Sequence, residues 1–167
     1  MITIEPVSPM NAMLFKDVRL RALRDTPTAF SSTYAQEAKF TDPDWVKRAA
    51  QWSSGQSVGY LAIDAGSPCG LASGMVDHDD ASCAHLYSMW VAPTHRRLGI
   101  GRVLVEAILA WARAQNAKTI QLLVTSNNDR AIEFYQRLGF TLTDRIEPYA
   151  NDPALSNYEM SRSISKK

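Results

Sequence analysis

Met89-Trp90-Val91-Ala92-Pro93-Thr94-His95-Arg96-Arg97-Leu98-Gly99-Ile100-Gly101-Arg102 is the stretch on which the reading of this chain turns. An apolar strand ends at Pro93, a short basic loop follows, and a glycine pair opens an amphipathic helix. Gly99 and Gly101 let the backbone turn sharply and come close to a ligand. The first N–H groups of the helix have no partners within it and carry the positive end of its dipole. Such a loop suits phosphate oxygens, with Arg96 and Arg97 adding charge. The nucleotide-triphosphate loop is excluded because no Gly-Lys-Ser/Thr follows. The dinucleotide fingerprint is excluded because its third glycine would fall at Leu104. Taken alone, the pair is also what a glycine-rich turn before a helix looks like.

Working outward, Cys83 to Val91 reads as a strand. It is the third of a meander with Ser57 to Asp64 and Cys69 to Asp77, which are split by the turn Ala65-Gly66-Ser67-Pro68. The helix after the loop places Val103, Leu104, Ala107, Ile108 and Trp111 on one stripe. Strand Thr119 to Val124, helix Asn128 to Leu138, a strand from Phe140 and a last strand near Tyr158 to Ile164 complete the C-terminal half. Upstream, Ile2 to Glu5 suits a short strand and Ser8 to Asp25 a helix that Thr26-Pro27 ends. Asp42-Pro43-Asp44 starts a second helix, with Asp42 as its cap. Antiparallel strands followed by a β–α–β–α–β half predict an α/β (α+β) fold with a mixed, mostly antiparallel central sheet flanked by helices.

The whole chain, 167 residues, is expected to form a single domain. Hydrophobic residues make up 46% and charged ones 21%, and the formal net charge is +1, so no global field favours nucleic acid or a membrane. No apolar stretch approaches the roughly 20 residues of a membrane span, and the N-terminus does not read as a signal peptide. Cys69 and Cys83 have neither metal-ligand spacing nor the density of a disulfide scaffold. The expected location is cytoplasmic, with no metal.

A second element changes the weight of the glycine pair. Asn128, Ala131 and Tyr135 stand at i, i+3 and i+7 and share one helix face. That helix runs into Leu138-Gly139-Phe140, where Gly139 suits a left-handed helix end. A plain N-cap at Asn128 and core filling by Tyr135 explain each residue singly, but not both elements in this order.

With both in register, the chain resembles the GNAT superfamily of acetyl-CoA-dependent N-acetyltransferases. The family's Arg/Gln-x-x-Gly-x-Gly/Ala motif matches Arg96-Arg97-Leu98-Gly99-Ile100-Gly101. Its Asn-x-x-Ala-x-x-x-Tyr motif matches Asn128, Ala131 and Tyr135. The specific match spans Ala84 to Phe140. Arg19-Leu20-Arg21-Ala22-Leu23-Arg24-Asp25 with Ala29-Phe30 is similar to the opening of many small-substrate members.

The resemblance implies that the backbone of Trp90, Val91 and Ala92 pairs with pantetheine in a gap where the strands splay. The pyrophosphate would sit on the amides of Arg97, Leu98, Gly99, Ile100 and Gly101 and into the helix at Arg102. Of Arg96 and Arg97, one would meet a phosphate and the other water. Asn128 would bond the pantetheine arm, and Tyr135 would bring its hydroxyl to the thioester sulfur as a general acid.

The implied reaction is direct attack of a neutral amine on the thioester. The base is the open position, because Cys83 to Val91 contains no Asp or Glu. His85 and Tyr87 share its face if no bulge intervenes, and His85 has the suitable pKa of about 6.5. Glu37 and Tyr87 are candidates for the acceptor side, with Glu37 equally suited to a solvated helix charge. The run Asp77, Asp79, Asp80 is either a lure for a cationic amine or a solvated hairpin. The implied cosubstrate is acetyl-CoA and the implied partner a small-molecule amine acceptor. Acetylation of a protein N-terminus or lysine, and a non-catalytic acetyl-CoA sensor, are the competing readings. A homodimer is left open.

Overall fold

The computed structural model describes residues 1–164. Seven strands form one sheet in the order β1-β2-β3-β4-β5-β7-β6: β1 Ile2–Pro6, β2 Ser57–Asp64, β3 Ser67–Val76, β4 Cys83–Val91, β5 Thr119–Thr125, β6 Thr141–Pro148 and β7 Ser156–Ser163. Among the described residues, β4 and β5 are the one neighbouring pair that runs parallel, and the other neighbouring pairs are antiparallel. The predicted meander of three strands is therefore β2-β3-β4. The parallel pair follows from the helical crossover between β4 and β5, and a second helical crossover carries the chain from β5 to β6, leaving the place between them to β7.

The helices are α1 Ala12–Asp25, the single turn α2 Tyr34–Glu37, α3 Asp42–Gln51, α4 Ile100–Ala114 and α5 Asp129–Arg137. The predicted helix from Ser8 is split: Ser8 caps a 3₁₀ turn at Pro9–Asn11, and α1 begins only at Ala12. α3 is capped by Thr41 rather than Asp42. Its hydroxyl accepts from Asp44 N (3.3 Å) while the Asp44 carboxylate accepts from Thr41 N (2.9 Å). The reciprocal pair satisfies two end groups where a lone Asp42 cap would satisfy one.

α1 and α3 cover one face of the β2–β4 half and α4 the other. The close approach of α4 requires Gly70 and Gly74 in β3, where a Cβ would lie 3.1 Å from Leu104 and 3.0 Å from Trp111. The buried stripe of α4 is Leu104, Val105, Ile108, Leu109 and Ala112, whereas Val103 is exposed. The predicted stripe was thus rotated by about one residue, because Val105 and Leu109 look inward as Leu104 and Ile108 do.

Candidate active site

β4 carries the decisive irregularity. Leu71 pairs with Trp90 and Ser73 with Tyr87, so Ser88 and Met89 bulge opposite Ala72 alone. Ser88 sits at φ 58°, a left-handed conformation that a non-glycine residue holds only when its surroundings fix it. The fixing contact comes from α1: Arg19 Nη1 donates to Ser88 Oγ at 3.0 Å.

On its other edge β4 pairs with β5 only at Cys83–Thr119, Ala84–Ile120 and His85–Gln121. From Leu86 onward the two strands diverge. Ala92 N donates to Cys69 O of β3, so strand alternation turns the N–H and C=O of Val91 to the diverging edge.

Below the divergence lies a cavity of about 190 Å³. Tyr135, Asn128, Ala131, Tyr87, Ser88 and Met89 are among its lining residues. Asn128 caps α5, its Oδ1 accepting from Ala131 N at 3.2 Å, and Nδ2 makes no bond among the described residues. Tyr135 is buried, and burial alone pushes its phenol above the ordinary range of about 10.

The glycine loop packs on Met89, one of the residues that line this cavity. Gly101 is the second residue of α4, and a Cβ there would lie 3.0 Å from Met89 Cε and 3.2 Å from Phe134 Cζ. Gly99 has φ 82° and Arg97 φ 65°, which coil the loop tightly, and a Cβ on Gly99 would meet nothing within 4 Å. The two glycines therefore do different work: Gly99 permits the turn under open space, and Gly101 lets the helix close on β4 and α5. Ile100 is buried, Leu98 is exposed, and Arg102 turns along its helix to Glu106 (3.0 Å).

The two loop arginines also separate. Arg96 Nε donates to Val91 O (2.9 Å) and its Nη2 to Asp25 (2.6 Å), clamping the strand end to the end of α1. Trp90 Nε1 donates to the same carboxylate at 2.9 Å. Burial pushes Asp25 up, but the bonds from Trp90, Thr26 and Arg96 together hold it below the usual carboxylate range. Ala92 is buried behind this clamp. Arg97 forms no salt bridge among the described residues.

The remaining candidates do not all converge. The bulge follows Tyr87, so His85 and Tyr87 do share a face, with ring centroids 5.8 Å apart. Tyr87 reaches the cavity, but His85 lies outside it, its Nε2 2.7 Å from Asp77 Oδ1. Asp77 also accepts from Asp79 N and Asp80 N, so the acidic run is a self-bonded hairpin.

Glu37 departs furthest from its expected place. It is 1% exposed and lies under the N-terminal helices rather than on the cavity. Arg19 grips it with Nε (3.0 Å) and Nη2 (2.9 Å), and Arg48 Nη1 adds a third bond at 2.7 Å. Burial pushes its carboxyl up, but the two arginines outweigh it and hold the pKa down to about 2. It is neither solvated nor free to take a proton at neutral pH.

The chain matches the model of the Acetyltransferase (GNAT) family over residues 20–140. It belongs to that family.

Over 69 residues, 41% of this chain and 38% of the relative, it is 33% identical to the N-terminal acetyltransferase B complex catalytic subunit naa20 of Schizosaccharomyces pombe. Over 128 residues, 72% of this chain and 38% of the relative, it is 34% identical to the mycothiol acetyltransferase of Acidothermus cellulolyticus. The chain spans between 30% and 38% of the length of the first three curated relatives it matches. Among solved structures, a GNAT-family acetyltransferase of Streptococcus pneumoniae superposes with a TM-score of 0.84 at 21% identity, covering 99% of this chain and 100% of that one. The yncA protein of Salmonella typhimurium, solved with its cofactor acetyl-CoA, gives a TM-score of 0.81 at 17% identity, covering 100% and 96%. At those identities the likeness is one of fold.

Two features of this GNAT chain had no signal in its sequence. Ser88 carries no glycine to mark a bulge. Tyr149, between β6 and β7, donates to Phe30 O (2.6 Å), and Asn151 Nδ2 to Ser31 O (2.9 Å). Thr125 Oγ1 donates to Thr28 O at 2.6 Å, closing the same strap. Contacts spanning 97 to 120 residues leave no local pattern to read.

Proposed function

We propose that this chain is an N-acetyltransferase that moves the acetyl group of acetyl-CoA to a primary amine of a small molecule within a ternary complex. The observation that carries this is the divergence of β4 and β5 beyond His85, directly over a cavity lined by Tyr135 and Asn128. An extended ligand arm fits such a gap because its amides can replace the missing ladder bonds of β4. The residues present suit the ligand. Val91 offers its N–H on the strand edge, whereas the backbone groups of Trp90 and Ala92 turn to β3, and Asn128 Nδ2 is a further donor. The amides of Arg97 to Gly101 and of Arg102 take the pyrophosphate. Arg97 adds charge there, since Arg96 is committed to Asp25 and Val91.

Acetyl-CoA supplies an activated thioester; the chain's residues orient it and stabilise the charge that moves. As the amine nitrogen bonds to the carbonyl carbon, charge builds on the carbonyl oxygen, and the N–H of Val91 on the diverging edge can meet it. The C–S bond then breaks, and the thiolate departs beside Tyr135. A phenol raised above about 10 holds its proton more tightly than a thiol of about 8.5, so full transfer is uphill. Tyr135 therefore serves as a hydrogen-bond donor to sulfur. Among the described residues no carboxylate lines the cavity, and in this reading the proton lost by the amine leaves to water.

The strap from Tyr149, Asn151 and Thr125 across Thr28 to Ser31 roofs the acceptor side. A roofed cavity supports a small acceptor over the peptide groove that a protein N-terminus or lysine would need. Thiol release from acetyl-CoA across a panel of primary amines tests the function. Turnover with a small amine is expected. Acetyl-CoA binding without turnover across a broad panel would point to a sensor domain instead.

A further inference from the structure

A second cleft, of about 270 Å³, opens between the end of α3 and the middle of β3 and β4. Arg19, Arg48, Trp52, Ser57, Tyr87 and Ser88 are among the residues that line it. Arg19, Tyr87 and Ser88 line the first cavity too, so the bulge of β4 is a wall common to both.

The charge of this cleft is unbalanced. Two guanidiniums share one carboxylate, that of Glu37, leaving one positive charge in excess. Glu37 lies beneath and does not line the cleft. Arg19 is nearly saturated, with bonds from three nitrogens to Glu37 and Ser88. Arg48 is not: its side chain is 24% exposed, and among the described residues only Nη1 is bonded. Its guanidinium lies 4.8 Å from the Trp45 ring, 5.2 Å from Phe40 and 5.7 Å from Phe15. Those rings hold it in place and exclude water from one side, which strengthens its pull on an anion.

Resting on the acetyltransferase reading above, we propose that the acceptor is an amine bearing a carboxylate. Its carboxylate docks on Arg48 in the second cleft while its amine reaches the first cavity past Tyr87 and Ser88. This arrangement fits a first cavity that no acid lines among the described residues: the amine, which must be neutral to react, is recognised through its other end. A planar guanidinium with free donors suits a carboxylate's two oxygens.

The test compares amino acids with their own carboxamides as acceptors, over α-, β- and γ-amino acids. The free acid should exceed its amide in kcat/KM by about 10- to 100-fold. In Arg48→Gln that ratio should fall to within about threefold while acetyl-CoA affinity is kept, and Arg48→Lys should restore part of it. Calorimetry of N-acetyl amino acids and their amides on the CoA-loaded protein reads the same preference without turnover and without relying on any variant. Equal use or equal binding of acid and amide, binding of neither, or a preference that survives in folded Arg48→Gln would each overturn the proposal. Failure to bind acetyl-CoA at all would instead overturn the parent reading.

Discussion

At the scale of single residues, burial decides what each side chain can do. Tyr135 is held protonated by a dry environment, so it can donate a hydrogen bond but is a poor proton source. Tyr135→Phe keeps the ring and its packing against Phe134 and Phe140. We expect kcat to fall about 10- to 100-fold with acetyl-CoA affinity unchanged, because the interaction forms mainly as the C–S bond breaks. Steady-state kinetics beside a binding isotherm checks this, and an unchanged kcat under chemistry-limited conditions would reduce Tyr135 to core packing.

Glu37 makes a prediction about stability instead. Its folded pKa of about 2 lies below the ordinary 4.5, so its contribution is complete above about 4.5. That contribution is lost as pH falls from there towards 2. A shift of this size corresponds to about 3 kcal/mol. Denaturant midpoints measured from pH 6 to pH 2 should fall through that window, and Glu37→Gln should flatten its share of the decline. Neutralising the acid of this buried triad leaves the two arginine charges uncompensated, so Glu37→Gln should also be less stable at pH 7.

At the scale of elements, the glycine loop offers a separation that its sequence concealed. As letters, Gly99 and Gly101 look like one motif with one purpose. The space around them differs: Gly99 faces openness with a left-handed backbone, and Gly101 faces Met89 and Phe134. Gly101→Val should therefore cost about 1–3 kcal/mol of stability by overpacking. Gly99→Ala should cost about 1 kcal/mol for the backbone, yet lower acetyl-CoA affinity at least about tenfold by crowding the phosphate path. Thermal unfolding and calorimetry on both variants distinguish the two costs.

The same contrast shows what was legible beforehand. β2 and β4 could be bounded to the residue because their apolar runs are flanked by turn formers. The helix bearing Asn128 and Tyr135 carried its own cap and its own left-handed glycine end. The bulge at Ser88, the burial of Glu37 and the clamp made by Arg96 could not be read. Each depends on a partner, Arg19, Arg48 or Asp25, that is distant in sequence and chosen by packing. His85 was rightly placed on the face of Tyr87, but the direction in which Asp77 holds it lies outside any periodicity.

At the scale of the whole molecule, two halves of a sheet joined by a short parallel pairing leave a gap that neither half could make alone. β1 to β4 are closed by α1, α3 and α4, and β5 to β7 hang from three register positions at Cys83 to His85. The strap from Thr125 of β5 and from the β6–β7 segment to Thr28–Ser31 then ties the halves together beside the first cavity.

If that gap is where acetyl-CoA enters, its binding must cover the exposed edge of β4 and the amides of the loop. Hydrogen exchange followed by mass spectrometry, with and without saturating acetyl-CoA, measures this directly. Slower exchange is predicted in segments covering 86–92 and 97–103, with no change in β1 or α3. Binding that leaves both segments exchanging as before would contradict the account.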